Sequence, residues 1–278
     1  MKNNQNDIVS GDESTNIQGR DHVTVNQYNG LSYLEVKEIA MDVFKSNFYE
    51  LGERASRTAK ERAEQITNDY LRKLEKVSAE SINNVNDPDV QYGIYTVQMQ
   101  HARLGNKEIS ELLVDVLVSR TKIVDEPLLK LVLNESLLAI PKLTLRQIDV
   151  LSFLFIVKYV GFSGSLEEYI SMVMPFSESL SLESSFYQHL QYAGCISISM
   201  GESDLNSIFK NKFPNILDEV NVTDKLLATD QNIGKVQHYW QNSIVKNSTL
   251  TSVGIAIAHA NFVNKTGILA DLSIWIKE

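Results

Sequence analysis

Apolar residues along most of this chain recur at steps of three and four, the spacing of one helix face. Ser32, with Glu35 three residues on, has the form of a capping box opening a helix. Leu34, Ile39, Val43, Phe44, Phe48 and Leu51 follow at approximately helical spacing. A long helical segment is predicted over 53–84, with Ala55, Ala59, Ala63, Ile66, Tyr70, Leu74 and Val77 as its apolar stripe. Its mean step of about 3.67 residues matches an eleven-residue repeat, that of a nearly straight or slightly right-handed bundle. The stripe is narrow and starts with alanines, which allow close helix approach. Two readings stay open: a solvated helix on its own domain, or an oligomer seam through Ala55, Ala59, Ala63, Ile66 and Tyr70.

Asn86-Asp87-Pro88-Asp89 breaks that helix. Further helices are predicted over 90–104, ended by Gly105, and over 108–122, 126–139 and 145–160, with Pro141 as a stop and Thr144 as a cap. Short connections and strongly apolar faces are the pattern of an α-bundle. Beyond Gly161 shorter helices are predicted over 166–174, 182–192, 205–213, 216–227, 234–246 and 253–264. Two stretches alternate like strands instead, Cys195–Ser199 and Leu272–Ile276. The layout around Leu190–Ile198 and Leu250–Gly254 is similar, at fold level, to winged-helix domains. Tyr92, Tyr95, Phe153, Phe155, Tyr159 and Phe162 fall at core spacing and are expected to be packing residues.

Residues 1–30 differ in texture, with no leucine, one aromatic (Tyr28) and many Asn, Gln, Asp, Ser and Thr. Val9-Ser10-Gly11, Ile17-Gln18-Gly19 and Val25-Asn26-Gln27 recur every eight residues, and Thr15/Ile17 and Val23/Val25 alternate locally. The repeat predicts two or three short rungs of a β-solenoid or β-prism. Each rung buries one or two apolar side chains at about 1.5–3 kcal/mol apiece. That does not offset about 1–2 kcal/mol of backbone entropy per ordered residue. Such a leader orders only by stacking on copies of itself or on another domain, so Val9, Ile17, Val23 and Val25 are the candidate self-association residues. The predicted fold is mostly α: leader 1–30, long helical segment 31–84, α-bundle 85–160, and an α-rich part 161–278 with a small, winged-helix-like β-ribbon.

Composition narrows the function classes. The 278 residues are 43% hydrophobic and 22% charged, which is globular. The net charge is −9, and no segment of the chain has a basic excess; this argues against nucleic-acid binding, which draws on phosphate neutralisation. One cysteine, Cys195, forms no intramolecular disulfide, and the N-terminal residues lack the apolar core of a signal peptide. The most apolar run, Val150–Phe162, contains Lys158 and is shorter than the roughly 20 residues of a membrane span. These features predict a cytoplasmic protein with a buried helix at 145–160.

No constellation of reagents emerges. The five histidines (His22, His101, His189, His238, His259) show no metal-ligand spacing, and no phosphate loop or Gly-x-Ser-x-Gly elbow occurs. Cys195 enters an apolar strand, where a buried thiol is inert. Asp87/Asp89 and Glu167/Glu168 sit at helix starts, where acidic residues favour the macrodipole. No catalytic residue, metal or cofactor is therefore assigned.

The strings Asn16–Gly19, Asp87–Tyr95, Glu111–Arg120, Leu131–Thr144, Gln147–Tyr159 and Leu250–Phe262, with Leu272–Ile276, together resemble a scattered family of uncharacterised bacterial proteins. The layout is also similar to helical proteins of abortive infection and phage defence. The period-eight leader, the alanine-containing stripe and the absence of a catalytic constellation predict a non-enzymatic, self-assembling scaffold, sensor or regulator that binds a partner protein through its helical body, and the layout resemblance points to phage defence. Two alternatives stand beside it. One is a membrane-acting effector that deploys helix 145–162. The other is a winged-helix regulator acting through 182–204.

Overall fold

The structure, a computed structural model, describes residues 32–217 and 222–277. Two compact units divide the chain, 1–53 and 54–278. The expected divisions at 84 and 160 both fall inside the second. The rungs of the leader, with Val9, Ile17, Val23 and Val25, lie outside the described residues.

Helix starts follow local chemistry. Ser32 and Glu35 form the expected box (Glu35 N–H to Ser32 Oγ 3.3 Å, Ser32 N–H to Glu35 Oε2 2.6 Å) and open α1, Tyr33–Ser78. A 3₁₀ stretch, Ala79–Asn86, follows it where the sequence predicted continued helix. Asp87 caps α2 (Pro88–Leu104), which closes on Gly105 at φ 63°. Asn106 caps α3 (Lys107–Lys122), and α4 spans Pro127–Ala139. Thr144 with Gln147 opens α5 (Leu145–Lys158), and Ser165 with Glu168 opens α6 (Leu166–Ser177); both are complete capping boxes. In each capped case a side-chain oxygen (hydroxyl in Ser32, Thr144 and Ser165, carboxylate in Asp87, amide in Asn106) accepts an N–H that the first helical turn leaves unpaired.

The rest of the second unit comprises α7 (Ser184–Tyr192), β1 (Ile196–Ile198), α8 (Leu205–Lys212), α9 (Val222–Thr229), α10 (Ile233–Asn242), β2 (Ser248–Leu250) and α11 (Ser252–Thr266). The strands pair antiparallel, Ile196 opposite Leu250 and Ile198 opposite Ser248. Three helices separate them in the chain, so the ribbon is not a hairpin.

Helix α5 is the centre of this unit. Val150, Leu151 and Phe153–Val157 are all 0% exposed, as the apolar run predicts. One core cluster extends from Ile66 on α1 through α5 to Ile276. Helix α11 lies along α5 through a polar seam: Asn261 donates to Ser152 Oγ (2.8 Å) and Asp149 Oδ1 (3.1 Å), and Ser152 Oγ donates to Ala258 O (3.1 Å). At its other end α11 meets the approach to β1. Thr251 N–H donates to Cys195 O (3.1 Å), and a Cβ on Gly254 would lie 1.9 Å from that oxygen. Only glycine lets the two backbones come this close.

Two expectations are corrected. Leu272–Ile276 is not a strand; Leu272–Ile274 is a 3₁₀ turn capped by Asp271. Trp275 anchors it, donating from Nε1 to Tyr159 O (3.0 Å) and setting its ring 4.8 Å from Phe155. Ile276 is buried and Ile274 exposed, so the alternation reflects an anchored tail rather than a ladder. Tyr92 and Tyr95 are 56% and 57% exposed, not core, because α2 turns Gly93, Val97 and Val90 inward instead.

Candidate functional site

The described part of the first unit is helix, and its apolar side chains face solvent. Leu34, Val36, Ile39, Val43, Phe44, Phe48, Tyr49 and Leu51 are all more than half exposed. The Phe44 and Phe48 rings stack, centroids 5.9 Å apart, as residues four apart on a helix do. A soluble helix normally turns such a face to a core. Exposed apolar surface on this scale is characteristic of an interaction site.

The positions carry two superposed ridges. Leu34, Met41, Phe48 and Ala55 recur every seven residues, with Phe44 and Leu51 between them at steps of three and four. That is the spacing of an a/d pattern. A second ridge, Val36, Ile39 and Val43, runs along a different side. At about 100° per residue the two together, with Ala40, cover about 220° of the helix circumference. Lys37, Asn47 and Glu50 interrupt that arc.

The seam expected further along α1 divides in two. Ala55 is exposed and Ala59 and Ala63 are half-buried, but Ile66 and Tyr70 are each 1% exposed. Tyr70 Oη is 2.9 Å from Thr121 Oγ1 of α3. Ile66 and Tyr70 therefore belong to the second unit's own core and are corrected from oligomer contacts to core contacts. The residues that sequence reasoning passed over are Met41, Phe44 and Phe48 as one seam; their seven-residue repeat was the available signal.

A further exposed stripe lies on α2, where Tyr92, Tyr95 and Met99 fall at i, i+3 and i+7. From Val90 to Ala102 the helix carries no Asp, Glu, Lys or Arg. Aromatic and methionine side chains with few charges are the composition of interface centres.

Cys195, His189 and His259 are each engaged within the second unit. Cys195 is 0% exposed, and burial pushes its thiol up to about 12, which removes the thiolate. His189 Nδ1 is 3.0 Å from Gln147 Nε2. His259 Nε2 lies 2.9 Å from Ala270 O, a carbonyl that can only accept, so Nε2–H donates; burial lowers the pKa of the ring. A cavity of about 450 Å³ opens between α3 and α11, bordered by Lys73, Asp115, Lys122, His259 and Leu269. Within it Asp115 pairs with Lys73 and accepts from Asn264 Nδ2 (2.9 Å). Asp115 thus satisfies both Lys73 and Asn264. Among the described residues no group of three or more His, Cys, Asp or Glu is placed to hold a metal, and no helix is long and apolar enough to cross a membrane.

A family model described only as “:-like” matches residues 30–220 and 215–276, nearly the whole described chain. The chain belongs to that family, which is uncharacterised. The matched span begins at residue 30, so the Asn16–Gly19 string falls outside it. No curated protein and no solved structure shows significant similarity to the chain.

Proposed function

We propose that this protein is a non-enzymatic, cytoplasmic scaffold or sensor that self-assembles through its N-terminal part and presents its helical body to a partner protein. One observation carries the reading: the Phe44/Phe48 face on residues 33–51 has no cover among the described residues. Most helical stability in proteins comes from packing of an apolar face, and a second copy supplies the surface for this one. The flank of the face is acidic, Glu35, Glu38, Asp42 and Glu53 against Lys45. That disfavours an anionic membrane surface, which selects basic amphipathic helices. The neutral Tyr92–Tyr95–Met99 stripe supports a protein partner on the second unit. A role in phage defence rests on the layout resemblance alone.

Burial of Phe153 and its neighbours weighs against the membrane-effector alternative, since helix α5 would have to leave the core to act. The ribbon's long-range pairing weighs against a winged-helix reader.

Light scattering of the full chain between about 1 and 50 μM, far above a nanomolar and well into a micromolar Kd, tests the reading. A particle heavier than the 31.4 kDa chain is expected, falling to monomer mass in Phe44→Glu/Phe48→Glu with the helical content of the body kept. A wild-type monomer throughout would refute it. Phage plating efficiency on cells expressing each form then tests the defence role.

A further inference from the structure

The two ridges on residues 33–51 set a lower limit on the number of copies. We infer that the N-terminal helices assemble as a bundle of at least three copies of this chain rather than as a two-stranded coil; this rests on the self-assembly reading above. In a two-stranded coil each helix meets one neighbour, along one a/d seam. Here Leu34, Met41, Phe44, Phe48 and Leu51 fill that seam. Val36, Ile39 and Val43 lie outside it and are also more than half exposed. A dimer would leave that second ridge in water. A helix flanked by neighbours on two sides covers both, as in bundles of three or more helices.

The available surface agrees. Nine side chains of the arc from Tyr33 to Leu51, each 44–80% exposed, present roughly 900 Å² per chain, taking aromatic side chains at about 150–250 Å². A stable interface needs about 800 Å² per partner. Of the polar residues within the arc, Glu50 lies seven residues beyond Val43, past the end of the second ridge. Lys37, at the first d position, lies in the second turn, where its stem can cover apolar surface with the ammonium in water. Asn47 lies between the two ridges rather than on either.

Sedimentation velocity and native mass spectrometry of the full chain test the inference. The expected mass is at least three times 31.4 kDa, about 94 kDa. Ile39→Glu/Val43→Glu, which alters only the second ridge, is expected to give a smaller particle with an unchanged melting transition of the body. A wild-type dimer of twice 31.4 kDa, about 63 kDa, would overturn this inference and leave self-assembly standing. An unchanged mass for the second-ridge variant would also overturn it. A wild-type monomer would overturn both readings, whether the face is then covered by the chain's own residues or binds vesicles of phosphatidylglycerol.

Discussion

Replacing Gly254 by alanine puts a methyl group where the Cys195 carbonyl already sits. The new Cβ would lie 1.9 Å from that oxygen and 2.9 Å from its carbon. Such contacts do not fall below 3.0 Å, so the first turn of α11 or the Gly194–Cys195 peptide must move by at least 1.1 Å (3.0 less 1.9). The obstacle is backbone, fixed by Thr251 N–H on Cys195 O (3.1 Å) and Thr251 Oγ1 on Gly194 O (2.6 Å), so it has no rotamer to give way. Overpacking of this kind costs about 1–3 kcal/mol. Each of the two strained hydrogen bonds adds up to about 1 kcal/mol, and alanine's better helix propensity returns up to about 1 kcal/mol. The net destabilisation is about 2–4 kcal/mol, or a fall in Tm of about 4–16 °C for a unit of this size. Gly161→Ala is the control, since its Cβ meets nothing within 4 Å. Thermal and urea unfolding by circular dichroism measures both variants. If Gly254→Ala melts within 1 °C of Gly161→Ala, α11 does not abut the start of the ribbon and the reasoning is wrong.

Two further predictions concern buried cations. Lys158 donates to Ser248 O (2.6 Å) and lies 5.2 Å from the Trp240 ring; burial lowers its pKa from 10.5 to about 8. Below pH 8 the folded protein carries the full cost of that charge. Between about 8 and 10.5 the unfolded chain holds the proton more tightly, so stability rises with pH. The gap corresponds to at most about 3 kcal/mol, and to about 2 kcal/mol once solvent screening is allowed for. Lys158→Met should therefore flatten the rise between pH 8 and 10, read from urea midpoints of the two proteins; parallel curves would contradict it. Arg120 is 2% exposed and pairs with Asp89, which also accepts from Asn134 Nδ2 (2.9 Å). Those hydrogen bonds, Arg120's first, hold the Asp89 carboxyl below its usual range. The pair thus stabilises the fold above the unfolded carboxyl value and is lost as pH falls through the folded one. Asp89→Asn should cost about 2–3 kcal/mol at pH 7, below the 3–5 kcal/mol of a fully buried pair because Asp89 is half exposed. The cost should shrink as pH falls below the unfolded carboxyl value of about 3.9, and a cost independent of pH would count against the pairing.

Much of this protein is written locally in its sequence. Ser32, Asp87, Thr144 and Ser165 announce helix starts because a cap binds N–H groups two or three residues away and needs no other part of the chain. The Val150–Val157 run is equally legible: a stretch apolar on every side is stable only in a core. So is the seven-residue repeat from Leu34 to Ala55, because a seam is a property of one helix. The tertiary structure decided which apolar faces find a cover. Ile66 and Tyr70 continue a stripe that reads like a seam between copies, yet α3 arrives to bury them. Tyr92 and Tyr95 have core spacing, yet α2 turns its opposite side inward. Leu272–Ile276 alternates like a strand, yet Trp275 fastens it as a turn. Capping and periodicity act over three to seven residues, whereas burial depends on which distant element reaches a face first. The sequence therefore determined where helices begin and which faces are apolar, and long-range packing decided which of those faces enter the core and which stay in solvent.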